Sequence, residues 1–282
     1  MRRRFAVAVV GTLGTAACAS VIGLGDYEVG GDDAGPTDGA APVTSGSSSK
    51  PTPTPPPVDA TVTPIVDAGP RVCATAHTFC DDFDDSAPLL PRWSSNEQSA
   101  APLRLDTTIF ASGPRALTTT FPPSNNERSA LWKDIKFTNG KIHVEVDYRM
   151  DPGEMAGSQD IAPVEIDMYP GPTNYIKAHG YYISVRNSQT LLYYFATPSS
   201  GDAYYKSATF DIPHGAWHHF TFDYEPSTRM GHMQVDGSDT TIEALPGPTP
   251  TTGYLGVGAT YLINTKGTWT THIDNVILDL PP

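Results

Sequence analysis

The chain has 282 residues, with 31 acidic against 18 basic side chains and a formal net charge of −13. Because an acidic surface repels phosphate groups, this balance excludes nucleic acid as an expected partner. Beyond the amino terminus, no stretch is long and apolar enough to form a transmembrane helix.

The first 18 residues predict a signal peptide. Arg2, Arg3 and Arg4 precede an apolar run over residues 5–17, and small residues surround Cys18. A basic, then apolar, then small-residue segment is the order of parts that directs a chain to export. The apolar run is too short for a permanent membrane span. We therefore expect an exported protein.

Two cleavage sites overlap at Cys18. Residues 15–18 read Thr-Ala-Ala-Cys and resemble a bacterial lipobox, with Thr15 in place of the usual aliphatic residue. Residues 17–19 also fit ordinary signal peptidase, which would release a soluble secreted or periplasmic protein. We expect a lipid on Cys18, because the long flexible segment after it suits a tethered domain. The expected location is the cell envelope, at the outer membrane or cell surface, with the lipid as the only membrane contact.

Residues 19–70 predict a disordered linker. Gly, Asp, Ala, Pro, Ser and Thr dominate this segment, and proline is densest over residues 49–57. Such a composition buries too little apolar area to offset the entropy of ordering the chain. The linker would hold a domain away from a membrane or cell wall.

Cys73 and Cys80 predict a disulfide. With Cys18 lipidated or removed, they are the two cysteines that remain of three, and an exported chain folds in an oxidising compartment. Two unpaired buried thiols are the alternative. A zinc site would need further ligands, although His77 lies between the two cysteines.

Residues 71–282 predict one all-β domain of about 210 residues. Apolar and polar residues alternate in short runs, which turn-forming segments such as Asp151-Pro152-Gly153 separate. The pattern predicts two antiparallel sheets packed face to face as a jelly-roll sandwich. The predicted strands cover residues 103–106, 115–121, 130–137, 141–150, 164–169, 175–185, 191–196, 204–210, 254–259 and 269–280, with a hairpin over residues 215–237.

Several segments of this domain resemble one superfamily. The hairpin begins with Trp217-His218 and ends on Asp236-Gly237, and residues 79–84, 112–117 and 273–278 fit its opening and closing strands. The chain is similar in these segments to concanavalin A-like lectins and glucanases, including laminin-G-like domains. The resemblance implies a jelly roll that serves as a sugar-binding module, a glycosidase or a protein-binding domain.

Residues 164–169 resemble the catalytic strand of laminarinases and lichenases, which reads Glu-Ile-Asp-x-x-Glu or is one residue shorter. The resemblance implies Glu165 as nucleophile and Asp167 as the residue that tunes it. The acid/base position, however, holds Tyr169 or Pro170, and retaining hydrolysis needs a second carboxyl about 5 Å away. We therefore expect no catalysis and keep Glu165 and Asp167 as the only catalytic candidates.

Strand alternation also predicts a polar face. If the apolar residues of each strand face the core, the residues between them face outward. Were these strands adjacent, their outward side chains would line a groove suited to sugar hydroxyls and apolar sugar faces. The alternative is a solvated face with charges paired across strands. The predicted ligand-binding residues are Glu145, Asp147, Arg149, Glu165, Asp167, Tyr169, Tyr182, Arg186, His219 and Asp223.

The aspartates near residue 82 suggest a structural calcium ion. Proteins resembling this one often bind calcium where the first and last strands meet, which implies Asp82, Asp84 and Asp274 as ligands. Calcium takes six to eight oxygen ligands, many of them from the backbone. Solvated carboxylates without a metal are the alternative.

The sequence as a whole predicts a monomeric surface protein that binds a polysaccharide or glycoconjugate without cleaving it. A glycoside hydrolase-like enzyme that uses the face of Glu165 and Asp167 is the first alternative. A protein-interaction module of the laminin-G type is the second.

Overall fold

A computed structural model describes residues 72–280 except 86, 138–139, 155–158, 172–178, 187–188, 197–203, 211 and 243–247. All described residues belong to one compact unit. The predicted signal peptide, Cys18 and the linker lie outside them. Within the described ranges, no helix has the length and apolar character to cross a bilayer.

One of the two sheets has eight strands. They are β1 (Phe79–Asp81), β3 (Arg104–Asp106), β4 (Ala116–Phe121), β6 (Ile142–Asp151), β11 (Trp217–Glu225), β12 (Met230–Val235), β13 (Ser238–Ile242) and β15 (Trp269–Asp279). Their order is β13, β12, β11, β6, β15, β4, β3, and β1 also pairs with β15.

The other sheet has seven strands. They are β2 (Ser95–Gln98), β5 (Ser129–Lys136), β7 (Asp160–Tyr169), β8 (His179–Arg186), β9 (Gln189–Ala196), β10 (Tyr204–Phe210) and β14 (Thr252–Ile263). Their order is β10, β9, β8, β7, β14, β5, β2. Besides the strands, the described residues form a 3-10 turn at Val72–Ala74 and one short helix, α1 (Leu89–Arg92).

The core lies between the two sheets. In β6 every second residue from Ile142 to Met150 is buried, as a strand with one face on the core requires. Phe220, Phe222 and Tyr224 of β11 continue that face, and one buried cluster joins them to apolar residues of β7 and β14. The predicted all-β jelly-roll sandwich is confirmed.

The predicted hairpin is also confirmed. Strands β11 and β12 pair antiparallel with Phe220 opposite Val235, and Asp236 and Gly237 form the next turn with positive φ. Trp217 is partly exposed at the start of β11.

The amino-terminal segment is fastened to the last strand. Cys73 and Cys80 form the predicted disulfide, and β1 pairs with β15. Trp93 is fully buried, and its indole N–H donates to the Asp81 carboxylate at 2.8 Å. The first and last strands of the domain are therefore neighbours, as the resemblance implied.

Candidate functional site

The predicted ligand-binding residues lie on two different sheets. Glu145, Asp147 and Arg149 belong to β6, and His219 and Asp223 to β11, both in the eight-stranded sheet. The rest of the set lies in β7 and β8 of the seven-stranded sheet, namely Glu165, Asp167, Tyr169, Tyr182 and Arg186. The condition for a single groove, that these strands are all adjacent, is therefore not met, because β6 and β7 follow each other in the chain but join opposite layers.

The outer face of the eight-stranded sheet is occupied by its own ion pairs. Nδ1 of His219 is 2.7 Å from an Asp147 oxygen, and Nζ of Lys141 is 3.0 Å from Asp223. Arg149 donates to Asp151 at 2.8 Å. This half of the predicted set therefore matches the alternative of charges paired across strands.

On the seven-stranded sheet, the register aligns a row of residues across four strands. Trp132 of β5 pairs with Gly256 of β14, which pairs with Glu165 of β7, which pairs with Tyr182 of β8. The side chains of Tyr182 and Arg186 lie outside the described part of the structure, so only their places in β8 are known. The row nonetheless puts a tryptophan and a carboxylate on one face, with a glycine between them.

The Trp132 ring covers Gly256. A Cβ built on Gly256 would lie 2.3, 2.7 and 2.9 Å from Cζ3, Cε3 and Cη2 of Trp132, all atoms of the six-membered ring. The ring therefore lies face-on against the backbone of β14, which only a residue without a side chain permits. Trp132 remains partly exposed, and the guanidinium carbon of Arg128 is 5.6 Å from its ring centroid.

A second row runs two residues further along the same strands. Asp134 of β5 pairs with Tyr254 of β14, which pairs with Asp167 of β7. Tyr254 is 41% exposed, and its ring contacts the Tyr169 ring edge-on at 5.6 Å between centroids. A second aromatic side chain is therefore open to solvent beside Trp132.

Tyr169 is bonded to the neighbouring carboxylate. Its hydroxyl donates to Asp167 at 3.1 Å. Burial raises the pKa of Tyr169, and the charge of Asp167 and this hydrogen bond raise it further. Tyr169 therefore keeps its proton and acts as a hydrogen-bond donor at physiological pH.

Glu165 and Asp167 lie on the outer face, as strand alternation predicted, but they do not reach the surface. Glu165 is 1% exposed and Asp167 is 5% exposed. A carboxyl pair for glycoside hydrolysis must flank the scissile bond. Residues so deeply buried do not present that geometry, which weighs against the catalytic interpretation of residues 164–169.

The predicted calcium ligands are engaged with protein groups. Asp274 is fully buried and accepts backbone N–H bonds from Ala111, Ser112 and Asn275, at 2.9 Å each. Asp84 accepts from the backbone N–H of Arg115 at 3.4 Å. Among the described residues, no three His, Cys, Asp or Glu side chains are grouped so as to hold a metal ion.

Burial raises the pKa of Asp274 to about 8, although the three N–H bonds act in the opposite direction. Asp82, which is partly exposed, accepts a hydrogen bond from the backbone N–H of Asp84 at 3.3 Å. A calcium ion at this place would have to be held mainly by backbone oxygens, and it stays a prediction.

The most informative residues of this face were not in the predicted set. The sequence patterns did not single out Trp132, Tyr254, Asp134 or Gly256. The alternation of Trp132 with Asp134 in the predicted strand 130–137 was the available signal, because residues two apart in a strand share a face.

Comparisons with known proteins establish the fold. No family model matches the chain and no curated protein matches its sequence. An endo-β-1,4-glucuronan lyase from the fungus Trichoderma reesei matches with a TM-score of 0.53 and 13% identity over 73% of this chain and 96% of the lyase. This likeness confirms the concanavalin A-like jelly roll and, at such low identity, shows the fold alone.

Two further solved structures match less well. Alginate lyase A1-II′, of polysaccharide lyase family 7, has a TM-score of 0.48 and 13% identity over 60% of this chain and 82% of its own. The cellulose-induced protein Cip1 has a TM-score of 0.49 and 16% identity over 72% of this chain and 97% of its own.

Proposed function

We propose that this concanavalin A-like jelly roll binds a neutral polysaccharide or glycoconjugate on the outer face of its seven-stranded sheet and does not cleave it. The observation that carries the proposal is the Trp132 ring, fixed face-on over Gly256 and partly exposed. Aromatic rings held in this way stack on the apolar faces of sugars, while nearby polar groups bind the hydroxyls.

Tyr254 extends the stacking surface. It lies two residues from Gly256 along β14, and the exposed carboxylate of Asp134 stands opposite it in β5. The Tyr169 ring of β7 contacts the Tyr254 ring on the side opposite β5. The face therefore offers two rings with acceptors and donors beside them, which suits consecutive units of a sugar chain.

The carboxylates of this face favour a neutral ligand. Asp134, Glu165 and Asp167 all belong to the two rows that contain Trp132 and Tyr254. Arg128, the cation beside Trp132, lies 3.7 Å from Glu97 and is partly neutralised by it. A polymer of uronic acids would meet the exposed carboxylate of Asp134 here, and this contact between like charges costs free energy and selects against such a ligand.

Cleavage of a polysaccharide is the second candidate. It is favoured by the bond between the Tyr169 hydroxyl and Asp167, because a phenol beside a carboxylate is a possible acid and base. The similarity in fold to a glucuronan lyase is compatible with it. The burial of Glu165 and Asp167 and the raised pKa of Tyr169 weigh against it.

A glycan array probed with the full chain separates these possibilities. We expect binding to neutral glycans and none to polyuronates, with no shortened or unsaturated products after long incubation. Turnover that disappears in Glu165→Gln and in Tyr169→Phe would establish the enzyme instead. No binding to any glycan on the array, together with capture of protein partners that have been deglycosylated, would support the laminin-G-type alternative. Repeating the array with a chelator tests the predicted calcium ion separately.

We also propose that a lipid on Cys18 anchors the protein to the cell envelope. The order of residues 1–18 and the linker over residues 19–70 support it. The mass of the mature chain tests it: a diacylglycerol on Cys18, lost in Cys18→Ser, is expected. A mature chain that begins after Cys18 would contradict the anchor.

A further inference from the structure

The outer face of the eight-stranded sheet carries a chain of histidines and carboxylates that the proposed function does not use. His143 of β6 stands opposite Asp223 of β11 on one side and Asp279 of β15 on the other. Four residues along β6, Asp147 stands opposite His219 of β11. The two histidines thus lie within the β6–β11 pairing, each near a different end of it.

Both ring nitrogens of His143 face carboxylates. Nδ1 is 2.9 Å from Asp223 and Nε2 is 2.7 Å from Glu145. A carboxylate only accepts hydrogen bonds, and a neutral imidazole has one N–H to give. Both contacts therefore exist together only when His143 is a charged imidazolium.

The same carboxylate also faces the second histidine. The other oxygen of Glu145 is 3.8 Å from Nε2 of His219, whose Nδ1 is 2.7 Å from Asp147. Glu145 thus lies between two imidazole rings, and each ring has a further carboxylate on its far nitrogen. We call His143, Glu145, His219, Asp147 and Asp223 the histidine clamp.

The charges around the clamp favour protonation. Lys141 disfavours the protonation of His143, because its Nζ lies 3.0 Å from Asp223. Asp279 stands opposite His143 in β15, and its carboxylate is paired with His77 at 2.9 Å. Burial disfavours the charge of His143, but Glu145 and Asp223 outweigh it and raise its pKa. The hydrogen bond to Asp147, with Glu145 and Asp236 nearby, raises the pKa of His219.

We propose that the histidine clamp is a proton-dependent latch that holds β11, and with it β12 and β13, to the centre of the eight-stranded sheet. Protonated, each imidazole bridges two carboxylates across or along β6. When the protons leave, His143 loses one of its two bonds and Glu145 is left among uncompensated carboxylates. The clamp therefore stabilises the pairing of β6 with β11 most at mildly acidic pH.

The sign of the effect follows from linkage. A histidine whose pKa is raised by folding stabilises the fold fully below its unfolded pKa of about 6.5. That stabilisation is lost as the pH rises through the folded pKa. The pKa of His214 is lowered by burial, so its contribution is instead lost as the pH falls. Asp274, with a pKa of about 8, also titrates in this range.

The experiment therefore compares variants of the full chain over one pH range. Melting temperatures of the wild type and His143→Gln are measured from pH 5.5 to 9. Both proteins contain His214 and Asp274, so the pH dependence due to these two residues cancels in the difference between the melting temperatures. We expect His143→Gln to melt about 2–4 °C lower at pH 5.5 and the gap to close by pH 9. His232→Gln is the control for a neighbouring histidine. His232 of β12 stands opposite Asp223 in the register, but its ring pairs with the exposed Asp239 at 3.0 Å.

Ring-nitrogen NMR tests the protonation state directly. We expect the titration midpoint of the His143 ring nitrogens to lie at higher pH in the wild type than in Glu145→Gln. Equal midpoints in the two proteins, or a gap in melting temperature that does not change with pH, would overturn the latch. Recovery of stability at pH 8 on adding ZnCl2, with shifts of both Nε2 signals, would also overturn it, because a metal would then replace the proton.

Discussion

The Trp132 ring rests directly on Gly256, and a methyl group at that glycine would come within 2.3 Å of Cζ3 of the indole. The two residues are 124 positions apart in sequence and meet because β5 and β14 pair in register. The absence of a side chain at Gly256 therefore determines the position of the Trp132 ring on the sheet. The consequences can be tested without altering the tryptophan itself.

Gly256→Ala should weaken glycan binding. The added methyl group displaces the Trp132 ring from the sheet, and overpacking of this kind costs about 1–3 kcal/mol of unfolding free energy. Titration calorimetry against a glycan found on the array, with urea unfolding in parallel, measures both effects. Gly171→Ala is the control, since its Cβ would have no neighbour within 4 Å among the described residues. Unchanged affinity in Gly256→Ala would contradict the stacking role of Trp132.

Tyr169→Phe should lower stability while Tyr254→Phe should not. The Tyr169 hydroxyl donates to the buried Asp167, and loss of a hydrogen bond to a buried charged group costs about 1–3 kcal/mol. Tyr254 is 41% exposed, so water replaces its hydroxyl contacts. Urea unfolding at pH 7 measures the difference. Equal stability of the two variants would show that the Tyr169–Asp167 bond contributes little.

Asp274→Asn should destabilise the domain by about 1–3 kcal/mol. At pH 9, above the Asp274 pKa of about 8, both carboxylate oxygens accept backbone N–H groups, so an amide NH2 in either position would face a donor. Asp239→Asn is a matched exposed control, because Asp239 is largely solvated and pairs only with His232 among the contacts described. If both variants unfold at the wild-type urea concentration, the network around Asp274 is not a stabilising one.

Replacing Cys73 and Cys80 together by serine should loosen the first strand and leave the glycan face intact. The disulfide closes a loop with a sequence separation of 7, which restrains the unfolded chain by about 2 kcal/mol. Hydrogen exchange should accelerate in β1, next to β15, with glycan affinity unchanged. A loss of affinity would mean that the amino-terminal segment shapes the binding face.

Local alternation predicted much of the fold. In β6 it assigned Val144 and Val146 to the core and Glu145 and Asp147 to the outside, and the structure agrees. It does not tell which sheet a strand joins, because β6 and β7 both have a core-facing side and differ only in their distant partners. The predicted groove was therefore divided between two faces.

The sequence also did not predict how deeply outward-facing side chains are buried or which residues contact each other across strands. Alternation placed Glu165 on the outer face, but its burial depends on what surrounds it on neighbouring strands. Trp132 had no assigned role until the register brought it over Gly256. The charged pairs of His143 and His219 likewise require β6 and β11 to be neighbours, which periodicity alone does not specify.

The most direct test of the account is the affinity of Trp132→Ala for a neutral glycan that the full chain binds. We predict a loss of about 5- to 30-fold, since one aromatic stacking contact contributes on the order of 1–2 kcal/mol. Trp217→Ala removes a partly exposed tryptophan from the other sheet and should keep wild-type affinity. Equal affinities of Trp132→Ala and the wild type would show that the sugar does not bind on the seven-stranded sheet.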